Sequence, residues 1–147
     1  MAHVAFENED GIREVVGKFE RCEYTPEEFT HGHHLTVACW LLCTMPEEEA
    51  LDRMRQALLR FTAHHGKQGY HETITRFWMR LLVTSLQQLP ACTTRVQKVN
   101  HAVQSFPSKD LLFEYYTRER VMSESARREW IEPDLATIED TVELDRP

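Results

Sequence analysis

The chain has 147 residues, 41% of them apolar and 28% charged, a balance suited to one soluble domain with its own core. With 24 acidic against 17 basic side chains the net charge is −7, so no overall field attracts DNA, RNA or anionic lipid. Only 5 glycines and 6 prolines speak against a turn-rich sheet protein.

The opening residues Met1 to Asp10 have neither the basic nor the apolar region of a secretory leader. The longest apolar run, Leu35 to Cys43, falls well short of the ~20 residues of a membrane span. The expectation is therefore a cytoplasmic protein with no membrane partner. Cys22, Cys39, Cys43 and Cys92 show no C-x-x-C spacing and read as reduced, mostly buried thiols.

In chain order, Ile12, Val15, Val16, Phe19 and Cys22 form a helical stripe, with Asp10 as N-cap. Thr25-Pro26-Glu27-Glu28 reads as a capping box that opens the stretch holding His31 and His34. From Leu35 to Met45 the pattern is apolar nearly all round, which predicts a central buried helix. Pro46 and Glu47 to Glu49 start the next helix, whose apolar face is Ala50, Leu51, Met54, Ala57, Leu58 and Phe61 and whose stop is Gly66. Ile74, Phe77, Trp78, Leu81, Leu82, Leu86 and Leu89 line a third strong helix, ended by Pro90. Val96 to Phe106 predicts a fourth, and Ser108 and Ser123 are caps for two shorter ones. The reading is an all-α, single-domain irregular bundle of about five to seven helices over 1–135, followed by an acidic, flexible tail at 136–147.

Short connections force antiparallel neighbours, so the helix ends near His31 and His34, near His64 and His65, and near His71 fall at one end of the bundle. His31 and His34 are three apart and share a face, while His33 points away to solvent. His64 falls on its helix's apolar stripe and His65 at the stripe's edge; His71 is three before Ile74 and also points inward, with Glu72 and Thr75 beside it.

Imidazole binds metals and moves protons near neutral pH. Two chemistries are open. His31, His34 and His71 could hold one divalent transition metal, Zn or Fe, with Glu72 completing the shell or acting as base on a bound water. No H-E-x-x-H motif is present. Alternatively, the two helix N-termini would suit an anionic small molecule, with the histidines as donors or acid–base groups, Glu72 orienting one of them, and Tyr70 and Thr73 adding hydroxyls. Arg118 and Arg120 are further candidates for gripping a carboxylate ligand. His64 and His65 read most simply as complements to a helix C-terminus.

Thr30-His31, His34-Leu35, Gly69-Tyr70-His71-Glu72-Thr73-Ile74-Thr75, Tyr116-Thr117-Arg118-Glu119-Arg120 and Ser123 to Leu135 together resemble an uncharacterised family of small bacterial all-helical proteins. The resemblance covers Phe29 to Leu135 and lends no reaction. It implies that His31, His34, His71, Glu72 and the Arg118/Arg120 pair belong to one recurring constellation. The sequence thus predicts an enzyme acting on a small molecule at a histidine-rich pocket, with His71 and Glu72 as catalytic groups and Tyr70, Thr75, Arg118 and Arg120 as ligand contacts. The alternative is a non-enzymatic helical adaptor whose histidines are structural.

Overall fold

A computed structural model describes residues 5–67 and 69–138. Five helices carry the architecture: α1 (Glu9–Glu20), α2 (His31–Thr44), α3 (Glu47–His64), α4 (Glu72–Leu86) and α5 (Arg95–Ser105). A 3-10 turn (Lys109–Glu114) and two short helices, α6 (Arg118–Val121) and α7 (Glu124–Arg128), follow them. The described residues contain no strand, so the all-α expectation holds, and none of their helices is long and apolar enough to cross a membrane.

Helix α2 is the hub, packed against α1, α3, α4 and α5. Its apolar pattern all round demands this, because every face needs a partner. All residues from Leu35 to Leu41 are buried, and the one hydroxyl among them, Thr36, donates to the Gly32 carbonyl (2.8 Å). Burying a side chain such as Leu35 contributes about 2 kcal/mol, and Leu35→Ala would cost ~3 kcal/mol once the cavity it leaves is included.

Helix boundaries follow local caps, and two differ from expectation. Asn8, not Asp10, caps α1: its side chain accepts from the Asp10 and Gly11 amides (2.9 and 3.4 Å), which puts Asp10 inside the first turn. The Thr25–Glu28 capping box does form, with both reciprocal bonds at 2.9 and 3.2 Å, but it closes a single turn. Phe29 then swings inward to stack on Phe19 (4.2 Å between ring centres), and α2 starts afresh after Thr30. His33 is half-buried rather than turned to solvent. Its Nδ1 accepts the Thr30 amide (3.1 Å), taking the place of the Glu or Gln of a capping box.

The reversal that matters for the site follows α3. Gly66 adopts φ +66°, the left-handed region that glycine tolerates best. The Gly66 amide donates to Ala63 (3.1 Å) and the Lys67 amide to Thr62 (2.8 Å), a Schellman closure that turns the chain towards α4.

After Phe106 the chain wraps the outer face of α4. Phe77 and Leu81 of α4 meet Leu112, Tyr115, Tyr116, Val121 and Ile138 in a second apolar cluster. Ile138 is 3% exposed in this cluster; the rest of the expected tail, 139–147, lies outside the described residues. The four thiols form no disulfide, and Cys92 is exposed rather than buried.

Candidate functional site

The N-terminus of α2, the C-terminus of α3 and the N-terminus of α4 meet at one end of the bundle, around a cavity of about 650 Å³. Phe29, Leu35, Met54, Leu58, Phe61 and Trp78 supply much of its apolar wall. His31, His34, His65, His71, Tyr70 and Thr75 interrupt that wall with polar atoms. Such a size and lining fall in the range of small-molecule sites. The adjacent cleft by Trp130 and Arg76 is smaller, about 330 Å³. His64, placed on the apolar stripe by its spacing, is exposed and does not border the cavity; His65, as the C-cap residue of α3, is the one turned towards it.

Three of the four bordering histidines are tied to backbone carbonyls from distant parts of the chain. His31 Nε2 donates to Phe106 O (2.9 Å), His65 Nε2 to Tyr24 O (2.9 Å) and His71 Nε2 to Val121 O (2.7 Å). A carbonyl only accepts, so Nε2 carries the proton in each. His71 is also the N-cap of α4, and its Nδ1 accepts the Ile74 amide (3.2 Å). Both nitrogens of His71 are therefore engaged. Burial lowers the proton affinity of His31 and His71, and the carbonyl bonds partly offset this.

His34 differs. It borders the cavity, neither ring nitrogen hydrogen-bonds to a described residue, and each keeps accessible surface. The ring packs on Phe29 (4.2 Å between ring centres). Burial first, then the positive charges that His31, His33 and Lys109 can carry, push its pKa down to about 4. The imidazole is thus neutral at physiological pH, offering one donor and one acceptor to whatever occupies the cavity.

Glu72 has partners that its sequence neighbours did not suggest. Arg55, on α3, donates from Nε (2.9 Å) and Nη2 (2.7 Å) to its two carboxylate oxygens. The Tyr70 hydroxyl donates to Oε1 (2.5 Å). Pairing with Arg55 holds the Glu72 carboxyl below the usual range, while burial and the Glu72 contact push the Tyr70 hydroxyl up to about 12. Glu72 does not border the cavity; it orients Tyr70, which does, and not a histidine. Thr75 also borders the cavity, with its hydroxyl donating to His71 O (2.9 Å).

Arg118 and Arg120 stand apart from the cavity. Arg118 lies over the Phe113 ring (4.3 Å), and Arg120 Nε donates to Glu132 O (2.6 Å). Both are exposed, on α6, and their partners are local. The site residue that spacing missed is Arg55, which sits off the apolar face of its helix. Thr73, expected to offer its hydroxyl to a ligand, does not border the cavity: its hydroxyl donates to Glu129 O (2.7 Å) and accepts the Ile131 amide (3.2 Å).

As a metal centre, the set His31, His34, His71 and Glu72 fits poorly. His71 has no lone pair to spare, Glu72 is claimed by Arg55, and among the described residues no three His, Cys, Asp or Glu side chains converge in a way that could hold an ion. Compared with protein-family models, with curated proteins and with solved structures, the chain matches none.

Proposed function

We propose that this protein binds a small, largely apolar organic molecule in the cavity at the His34 end of the bundle. The observation that carries the reading is His34: a half-buried imidazole, neutral at physiological pH, that borders the cavity and whose nitrogens bond to no described protein group. An imidazole without a protein partner on a largely apolar wall is a hook for a ligand's hydroxyl, carbonyl or carboxylate. Tyr70 and Thr75 are the secondary polar contacts, and Phe29, Phe61 and Trp78 hold the apolar body. With a pKa near 4, His34 is a weak base at neutral pH, which favours binding over proton abstraction. Zn or Fe is not part of this reading, because the donors of His71 and Glu72 are already taken.

The test is a titration with a panel of ring compounds (indole, naphthalene-2-methanol, naphthalene-2-carboxylate) followed by amide chemical shifts. At least one should bind one-to-one, with shifts centred on His34, Phe61 and Trp78. Leu58→Trp, which fills the cavity from its α3 wall, should abolish the shifts while leaving helical circular dichroism unchanged. No saturable shift with any compound would sink the proposal. A second reading, the helical adaptor, draws on the three histidines tied to carbonyls; under it the same panel leaves the spectrum unchanged.

A further inference from the structure

Resting on the reading of the cavity as an organic-ligand site, we propose that its occupant is a monocarboxylate: a ring-bearing body lies against Phe29, Phe61 and Trp78, and its carboxylate pairs with Lys109 and with His34, which takes up a proton on binding.

The chain is acidic, with net charge −7, yet among the described residues the charged side chains bordering the cavity are Lys67, Lys109 and Glu27, two cations and one anion. Lys109 is the cation whose field reaches the imidazoles, since it disfavours protonation of both His31 and His34. His31 and His33 act on His34 in the same direction, and no carboxylate contributes to its depressed proton affinity. From α3, His65 borders the cavity with Nε2 bonded to the Tyr24 carbonyl. From the α4 end, His71 is bonded to the Val121 carbonyl and the Tyr70 hydroxyl to Glu72. The groups that act on His34 are therefore positive or neutral: Glu27 borders the cavity without contributing to its shift, and Glu72 is neutralised by Arg55 away from the cavity.

A carboxylate supplies the missing sign. It pairs with the Lys109 ammonium and stabilises charge on His34, so that a neutral imidazole plus one proton from solvent becomes an imidazolium hydrogen-bonded to the ligand. The N–H bond is the only covalent bond made, and none is broken in the ligand. A neutral alcohol of the same shape keeps the apolar contacts but gives His34 no reason to take the proton.

Titration calorimetry of the full chain at pH 6, with naphthalene-2-carboxylate and naphthalene-2-methanol in buffers of low and high ionisation enthalpy, tests this. The carboxylate should bind about tenfold tighter than the alcohol, with uptake of about half to one proton. Lys109→Ala should bring the carboxylate to within about threefold of the alcohol, Lys109→Arg should restore the preference, and His34→Gln should abolish proton uptake. Equal affinities, binding without proton uptake, or a preference untouched by Lys109→Ala would overturn the carboxylate assignment and leave the cavity reading standing. Failure of both compounds to bind would overturn both.

Discussion

His34→Gln, read against pH, isolates the group on which the site depends. An unfolded histidine titrates near 6.5, whereas His34 in the fold titrates near 4. Between these values the unfolded chain binds more protons at this position than the native one, so stability falls as pH drops from 6.5 towards 4 and is level below that. At about 1.4 kcal/mol per pH unit, His34 alone removes about 3 kcal/mol by pH 4 and about 2 kcal/mol at pH 5. These are upper figures, because the ring surface open to the cavity is screened. Urea unfolding followed by tryptophan fluorescence, at pH 7 and pH 5, gives the difference directly. His34→Gln should lose about 2 kcal/mol less than the parent between those two pH values. An identical pH slope in parent and variant would refute both the burial argument and the idea that this imidazole is held neutral.

His71→Ala should destabilise by about 2–4 kcal/mol in urea, since it removes an N-cap and leaves the Val121 carbonyl without its donor; an unchanged midpoint would show that its two bonds carry nothing. Glu72→Gln breaks a bidentate, half-buried pair and should cost about 2 kcal/mol at pH 7, with the gap to the parent closing in acid. The direction follows from the lowered Glu72 pKa, because the pair's stabilisation is lost as pH falls through it. Gly66→Ala meets no neighbouring atom but must hold φ +66°, so the expected loss is about 1 kcal/mol, measured as a lowered Tm.

Much of the bundle was legible because helical periodicity is a local property. The all-round apolar run of α2, the clean face of α3 and the punctuation by Pro46 and Gly66 specify elements and reversals, and these alone bring His31, His34, His65 and His71 to one end. The partners were not legible. His31, His65 and His71 bond to carbonyls 75, 41 and 50 residues away, and a backbone carbonyl leaves no mark on the sequence. The Arg55–Glu72 pair joins two helices through residues that looked like an ordinary solvated face and an acid beside a histidine. Arg118 and Arg120 were grouped with the histidines by a shared motif pattern, not by any physical rule for distance. The structure offers another reason for those segments to go together. Residues His71 and Thr73 bond to Val121, Glu129 and Ile131, so the Gly69–Thr75 stretch and the segment after α6 are mutual scaffolding.

That scaffolding makes the far end of the chain an indirect wall of the pocket. No described residue beyond Lys109 borders the cavity, yet the His71 ring that does border it hangs from the peptide of Val121. Because an imidazole is a rigid plate, a displacement of that peptide by a few tenths of an ångström passes undiminished to the cavity lining. A cut or chemical tag placed between α6 and Ile138 would therefore be felt by a guest that never touches it.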